Sequence, residues 1–245
     1  MSAISRYVLL VLFVLVNLVA FALMGVDKQR ARTHQWRVPE KTLFLAALLF
    51  GGTGGTIGMK PDPTTGALVP FDFSGIFEEF PTLQSLNIGI EVFTMDPVID
   101  SSNVEPANWV ALARLIRDNY ARYDGFVVLH GTDTMAYTAS ALSFMLENLG
   151  KPVIITGSQL PIGQLRTDGK ENLLTSIEIA AATDGEGNPR VPEVCIFFES
   201  RLMRGNRTTK INSEGFNAFR SFNLNSLAHA GIHIKYDNHL IRRPA

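Results

Sequence analysis

Two short segments of the chain place threonine side chains where a ligand could bind. Thr132 and Asp133 follow the apolar run at 126–129, and Thr56 lies between glycines shortly after the apolar run at 43–50. A threonine hydroxyl is a weak nucleophile at neutral pH and needs a neighbouring base or proton relay. Because open α/β sheets bind ligands outside the carboxyl ends of their strands, these segments predict a polar site with two candidate nucleophiles. Taken alone, Thr132 and Asp133 are also compatible with a simple helix N-cap.

The surrounding sequence alternates between strand and helix patterns. The 126–129 run is typical of a buried parallel strand that feeds a crossover helix. That helix would bury Met135, Ala139, Leu142, Met145 or Leu146, and Leu149, and would end at Gly150 and Pro152. Similar patterns predict strands at 91–93, 152–156 and 194–198 and helices at 106–120 and 169–183, the second helix opened by a capping box of Asp168 and Glu171. The alternation indicates an α/β fold with a doubly wound, mostly parallel sheet and right-handed crossovers.

The composition argues against several classes of protein and site. With 245 residues, 46% of them hydrophobic, the chain can form one or two domains with a sizeable core. A net charge of -1 argues against a nucleic-acid interface, which would be basic and clustered. The single cysteine, Cys195, excludes an intramolecular disulfide and a multi-cysteine metal site, and its apolar neighbours predict a buried core residue. The glycine-rich loop does not match phosphate-binding patterns, which would need glycine at Met59 or at Ile57.

Several motifs together resemble one enzyme family. The segments TGGTIGM at 53–59 and HGTDTMAYTASALSFMLENLGKPVI at 130–154 are similar to the bacterial asparaginase family, nearest to its cytoplasmic type I branch. The likeness runs from about residue 53 to about residue 235 and includes DSS at 100–102, TGSQ at 156–159 and RGNRTTK at 204–210. It implies the N-terminal α/β domain of that family.

The resemblance also implies an activity and a set of site residues. The expected reaction is hydrolysis of L-asparagine to L-aspartate and ammonia through a covalent acyl-threonine, with Thr56 as the attacking residue. The residue types alone do not rank Thr56 above Thr132 as the nucleophile. The expected catalytic residues are Thr56, Thr132, Asp133 and Lys210, and the expected substrate-binding residues are Asp100, Ser101, Ser102, Thr132 and Asp133. No metal or organic cofactor is needed.

Lys210 and Asp133 have further expected roles. Lys210 would meet the Thr132–Asp133 pair, and the arginines of the 201–210 segment would help it to take up a proton near neutral pH. Arg201 and Arg204 themselves are expected on a solvated or ion-paired face. Asp133 would bind the α-ammonium group of the substrate.

Two features depart from the family pattern. Ala67 stands in a loop-like segment, residues 60–81, at the place where the resemblance leads us to expect a lid tyrosine. The smaller C-terminal domain of the family, which contributes to the active site of a neighbouring subunit, is not recognisable in this chain.

The resemblance implies a homo-oligomer, a dimer or a tetramer. Alternative predictions are a truncated or fused protein with little or no activity, and a glutaminase.

Residues 1–50 differ from the rest of the chain. Residues 7–24 form an apolar run in which Asn17 is the only strongly polar side chain. A basic segment at 25–41 follows this run. By length and by the positive-inside rule, this pattern predicts an inner-membrane anchor with the catalytic domain in the cytoplasm. The Ala20-Phe21-Ala22 segment leaves a cleaved signal peptide as an alternative.

The beginning of the chain therefore predicts a fusion. Residues 17–28 and 36–43 resemble a small bacterial membrane-protein family of unknown function. We expect a membrane-type segment at 1–42, the asparaginase-like domain at 43–235 and a tail at 236–245. Residues 43–50 would form the first sheet strand, and the alternative is a second membrane helix at 42–59, which its glycines disfavour.

Overall fold

The computed structural model describes residues 59–61, 64–65, 68–70, 89–91, 93, 101–162 and 164–244. The chain divides into two compact units, and residues 60–70 belong to the smaller one. Strands β1 (Met59–Pro61) and β2 (Leu68–Pro70) pair in a two-stranded sheet, where the sequence predicted only a loop from residue 60. Residues 71–245 belong to the larger unit, which contains the candidate site.

A six-stranded sheet forms the centre of the larger unit. Its strands are β3 (Phe126–Leu129), β4 (Val153–Thr156), β5 (Val194–Phe198), β6 (Arg201–Arg204), β9 (Ala228–Ala230) and β10 (Ile234–Tyr236), in the spatial order β10-β9-β6-β5-β4-β3. Strands β7 (Thr209–Lys210) and β8 (Phe219–Arg220) form a separate antiparallel pair. The helices are α1 (Pro106–Asn119), α2 (Met135–Met145) and α3 (Gly169–Ala181).

Helices cover both faces of this sheet. Alternate residues of a strand point to opposite faces. On one face Val194, Ile196 and Phe198 pack with residues of α1 and α2, and on the other face Cys195 and Phe197 pack with residues of α3. Cys195 is a free, fully buried thiol, as predicted, and burial raises its pKa well above the ordinary value. Helices on both faces of a sheet agree with the α/β fold class expected from the sequence. Helix α2 connects β3 to β4 and helix α3 connects β4 to β5 in the same direction across the sheet, but the two helices lie on opposite faces. The two crossovers therefore have opposite hands, which corrects the prediction that the crossovers are right-handed.

The sheet is mixed, which corrects the prediction of a mostly parallel sheet. Strands β3, β4 and β5 are parallel, whereas β6, β9 and β10 each pair antiparallel with their neighbours. The reversal begins at a two-residue turn after β5, where Glu199 and Ser200 have φ values of 48° and 63°. Two successive positive φ values match the tight hairpin turns that usually contain Asn-Gly or Asp-Gly. The Glu-Ser pair carries no such signal in the sequence.

Local predictions held for the helices except near their ends. Helix α1 begins at Pro106 as predicted, whereas α2 ends at Met145 and the chain turns at Asn148, whose φ is 50°, before it reaches Gly150. The predicted strand at 91–93 is wrong, because Glu91 and Phe93 lie outside any strand. The residues after 236 also pack on the domain, since Ile241 is buried in the core that contains Cys195.

Several predictions concern residues outside the described part of the chain. These are the membrane segment at 7–24, the first strand at 43–50 and Ala67. Among the residues that the structure does describe, no helix is both long enough and apolar enough to cross a membrane.

Candidate active site

The fold brings together three of the predicted site residues. The Lys210 Nζ donates a hydrogen bond of 2.9 Å to Thr132 Oγ1 and another of 2.8 Å to Asp133 Oδ1. Thr132 and Asp133 lie between β3 and α2, and Lys210 lies on the short strand β7, 78 residues after Thr132 in the chain. The contact of Lys210 with the Thr132–Asp133 pair, which the family resemblance predicted, thus joins distant parts of the sequence.

The contact is mostly shielded from water. Thr132 is buried, and the Lys210 and Asp133 side chains are 19% and 23% exposed. The groups that Lys210 contacts are a hydroxyl and a carboxylate. The sequence had suggested arginines beside it, but Arg204 instead forms a buried ion pair of 2.5 Å with Glu193. Arg204 is thus ion-paired, as predicted, and Arg201 is exposed.

Thr132 and Asp133 do not cap the following helix. The N-cap residue of α2 is Thr134, and its side chain makes no capping hydrogen bond. The Thr134 hydroxyl donates instead to the Ser101 carbonyl oxygen at 2.6 Å. The simple N-cap interpretation of the Thr132–Asp133 pair is therefore wrong.

Ser101 contacts Thr134, the residue that follows the Thr132–Asp133 pair. It begins the 3-10 turn Ser101–Asn103, which precedes α1. Its Oγ and the Oδ2 of Asp133 are buried, and within the described part of the chain neither atom has a hydrogen-bond partner. Buried polar atoms normally find partners, so these two atoms are candidates for contact with a polar ligand. Ser102 is exposed, and Asp100 and Thr56 lie outside the described residues.

Gln159 is a member of the site to which sequence reasoning gave no role. The Thr132 hydroxyl donates to Gln159 Oε1 at 3.1 Å, and Gln159 Nε2 donates to the Gly215 carbonyl oxygen at 3.0 Å. The TGSQ segment after β4 was part of the family resemblance and was the signal that could have drawn attention to this residue. Because β4 is parallel to β3, its carboxyl end delivers Gln159 to the same edge of the sheet as Thr132.

Asp168 holds the Gln159 loop in place and does not form the predicted capping box. Its carboxylate accepts hydrogen bonds from the backbone N–H groups of Gln159, at 3.0 Å, and Leu160, at 3.2 Å. Burial raises the pKa of Asp168, and the backbone N–H donors partly oppose that effect. At the start of α3 the Thr167 hydroxyl accepts the hydrogen bond from the Gly169 N–H, at 2.9 Å.

His130, two residues before Thr132, makes hydrogen bonds with both nitrogens of its ring. Its Nδ1 lies 2.7 Å from the Gly131 carbonyl oxygen, which can only accept, so Nδ1 carries the hydrogen. In the neutral ring Nε2 then accepts from the Thr138 hydroxyl at 2.8 Å, and that hydroxyl accepts from Trp109 Nε1 at 3.0 Å. Burial lowers the pKa of His130, which favours this neutral form.

The site lies where two backbone segments approach closely. A side chain at Gly157 would overlap the His130 carbonyl oxygen and come within 2.7 Å of Met135 Cε, so this position requires glycine. The resulting cluster of a hydroxyl, a carboxylate and an ammonium group can bind a charged polar molecule and move protons. The described residues contain no group of histidine, cysteine and acidic side chains that could hold a metal ion.

Comparison with known proteins identifies the family of this chain. The family model described as "Asparaginase, N-terminal" matches residues 47–242. The chain belongs to the asparaginase family. It is 50% identical over 188 residues to L-asparaginase 1 of Escherichia coli (strain K12), a match that covers 75% of this chain and 53% of that protein.

Two further matches have lower sequence identities. The chain is 42% identical over 212 residues to the 60 kDa lysophospholipase of Mus musculus, which covers 78% of this chain and 36% of that protein. The crystal structure of L-asparaginase I from Vibrio cholerae is 46% identical, with a TM-score of 0.67 over 79% of this chain and 57% of that one. This asparaginase-family chain thus spans about half the length of L-asparaginase 1 of E. coli and about a third of the lysophospholipase.

A second family model matches the beginning of the chain. It describes a protein of unknown function (DUF1294) and covers residues 17–61, so the two matches overlap at 47–61, where Thr56 lies. The match agrees with the predicted resemblance of the beginning of the chain to a second family, of unknown function. The membrane character of the first segment stays a prediction.

Proposed function

We propose that this domain hydrolyses the side-chain amide of L-asparagine to L-aspartate and ammonia. The observation that carries the proposal is the pair of hydrogen bonds by which Lys210 Nζ links Thr132 Oγ1, at 2.9 Å, to Asp133 Oδ1, at 2.8 Å. Amide hydrolysis needs a hydroxyl or water that can lose a proton and a leaving nitrogen that can gain one. A connected hydroxyl, ammonium and carboxylate in a largely buried site supply such a proton path.

The proposed reaction has two steps. The Thr56 hydroxyl oxygen bonds to the amide carbon, the carbon–nitrogen bond breaks, and the hydroxyl proton leaves with the nitrogen as ammonia. Water then attacks the acyl-threonine ester, releases L-aspartate and restores the Thr56 hydroxyl. The relay of Thr132, Lys210 and Asp133 carries the protons or activates the water. The choice of Thr56 over Thr132 for the first attack rests on family likeness.

The substrate would be held by groups beside this relay. The buried Oδ2 of Asp133 offers an acceptor for the α-ammonium group, and the Ser101 hydroxyl offers a donor for a carboxylate oxygen. Asp100 and Ser102 complete the proposed binding set. Desolvation strengthens each of these charge-assisted contacts, so their partial burial favours binding of a zwitterionic amino acid.

We expect the activity to be well below that of a relative that has the lid tyrosine. Ala67 stands where this tyrosine is expected. Loss of a positioned proton-transfer group costs about two to four orders of magnitude in rate. A homo-oligomer, dimer or tetramer, is also part of this proposal.

The location in the cell is a further part of the proposal. The apolar run at 7–24 and the basic segment at 25–41 support an inner-membrane anchor that leaves the hydrolase domain in the cytoplasm. Residues 43–50 would then form the first strand of the domain.

Release of ammonia from L-asparagine and L-glutamine by the purified full chain tests the activity. We expect turnover of asparagine, and a loss of at least about 100-fold in both Thr56→Ala and Thr132→Ala. Thr209→Ala is a matched control, because Thr209 is an exposed threonine next to Lys210. Near-normal turnover in both variants, with unchanged circular dichroism, would refute the proposed roles. No release from either amide by the wild type would favour the inactive, truncated alternative.

A further inference from the structure

The side-chain amide of Gln159 has a defined orientation. Its nitrogen lies 3.0 Å from the Gly215 carbonyl oxygen, and a carbonyl oxygen can only accept a hydrogen bond. The Nε2 must therefore face Gly215, and Oε1 must face Thr132 on the other side, at 3.1 Å. A flipped amide would set two oxygen atoms against each other.

The loop that carries Gly215 is itself held in place. The Asn212 Oδ1 accepts from the backbone N–H groups of Glu214, at 2.9 Å, and Gly215, at 3.2 Å. The Asn212 Nδ2 donates to Asn217 Oδ1 at 3.0 Å. The direction of the Gly215 carbonyl is thus set by the loop that follows Lys210.

The orientation of Gln159 determines the direction of the Thr132 hydroxyl hydrogen. The Lys210 ammonium group has only donors, so it uses one lone pair of Thr132 Oγ1. The amide oxygen of Gln159 has only lone pairs, so the single hydroxyl hydrogen of Thr132 must point toward it. One lone pair of Thr132 remains for a hydrogen from water or substrate.

We propose that Gln159 is a positioning residue that fixes the direction of the Thr132 hydroxyl through its link to the Gly215 carbonyl. Gln159 makes the relay directional, because it keeps the hydroxyl hydrogen away from Lys210 and leaves an acceptor lone pair toward the reacting groups. The kinetic consequence rests on the proposed function, whereas the orientation of the hydroxyl does not.

Two substitutions separate this role from a general structural one. Gln159→Met keeps the length of the side chain and removes both hydrogen bonds. We expect kcat for asparagine to fall about tenfold, which corresponds to the free energy of about one hydrogen bond, and KM to stay within about twofold of the wild-type value. In Gln159→Glu the protonated carboxyl reproduces the donor and acceptor of the amide, whereas the ionised carboxylate turns an oxygen toward the Gly215 carbonyl. Gln164→Met is the control, because Gln164 is an exposed glutamine on the same loop.

The decisive kinetic result is a pH profile. The activity of Gln159→Glu relative to wild type should rise as the pH is lowered from about 8 to about 5, while the ratio for Gln159→Met stays flat, because only the first variant gains a titrating carboxyl group. Flat ratios for both variants, or wild-type kcat in Gln159→Met, would overturn the proposal.

A second measurement does not depend on catalysis. Three-bond couplings from the Thr132 hydroxyl hydrogen to its Hβ and to its methyl carbon, measured by NMR on the full chain in a mild detergent, report the direction of the hydroxyl hydrogen about the Cβ–Oγ1 bond. We expect one direction in the wild type and averaging or a different direction in Gln159→Met. If the wild type releases no ammonia, the proposed function fails and these couplings still decide the positioning role, since the wild-type direction in Gln159→Met refutes it.

Discussion

Glu193 and Arg204 form a buried ion pair that ties three segments of the domain together. Arg204, at the end of β6, donates from Nε at 2.5 Å and from Nη2 at 3.0 Å to the Glu193 carboxylate before β5. The same carboxylate accepts from the Arg242 backbone N–H at 2.6 Å, and Arg204 Nη2 also donates to the Leu240 carbonyl at 2.6 Å. The two side chains are 8% and 9% exposed, so neither charge is solvated when its partner is lost.

Glu193→Gln should therefore be strongly destabilising. One amide oxygen replaces two carboxylate oxygens, so at least one of the donors from Arg204 and Arg242 meets an N–H group and the guanidinium loses its counter-charge. Removing one partner of a buried pair costs about 3–5 kcal/mol in the free energy of unfolding. At roughly 2–4 °C per kcal/mol for a domain of this size, the Tm should fall by about 6–20 °C.

Thermal and urea unfolding of the full chain, followed by circular dichroism, measures this effect. The exposed pair of Arg117 and Asp118, at 2.8 Å with side chains 69% and 61% exposed, provides a control of similar geometry. Asp118→Asn should change the free energy of unfolding by less than about 1 kcal/mol. Equal effects of Glu193→Gln and Asp118→Asn would show that burial does not determine how much an ion pair contributes to the free energy of unfolding here.

A double-mutant cycle tests the coupling itself. Arg204→Met leaves the Glu193 carboxylate buried without its cation, and we expect it to be about as costly as Glu193→Gln. The double variant should be more stable than the sum of the two effects predicts, by about 0.5–3 kcal/mol, because neither charge is then left alone. Strict additivity would contradict the coupling inferred from the hydrogen bonds.

Three further predictions follow from the site and from the beginning of the chain. Burial lowers the pKa of His130 in the folded state. The stability that neutral His130 contributes should therefore be present above its unfolded pKa of about 6.5 and be lost as the pH falls through the folded value. His130→Gln should flatten the dependence of Tm on pH between about 8 and 5, whereas His233→Gln, at an exposed position, should not. Asp168→Ala should reduce kcat and lower stability by about 1–3 kcal/mol, because it leaves the Gln159 and Leu160 N–H groups without their acceptor; unchanged kinetics would show that the loop holds its shape without Asp168. Finally, the protein should fractionate with the inner membrane, and protease added to spheroplasts should leave residues 60–245 intact; digestion from outside would instead support export.

Part of this molecule was predictable from local sequence. Strand β4 and helix α1 were predicted nearly to the residue, because apolar periodicity and a proline in the first helical turn act through near neighbours. Cys195 was correctly predicted as a core residue for the same reason. The asparaginase resemblance rested on short contiguous motifs, and the family model matches residues 47–242.

Tertiary structure decided the rest. Strand β6 runs away from the edge of the sheet where β3 ends. The segment after β6 packs on α2, where a side chain at Gly205 would meet Ala139 and Ser143, and it then brings Lys210 to Thr132, 78 residues away in the chain. The turn at Glu199 and Ser200 that reverses the chain carries no sequence signal. Asp168 matched a capping box locally, but its carboxylate accepts from the partly buried backbone N–H groups of Gln159 and Leu160, while Thr167 accepts from Gly169 N–H at the helix start. Local sequence thus determined the strands and helices, whereas the partners of the polar groups depended on which distant segments the packed sheet brought together.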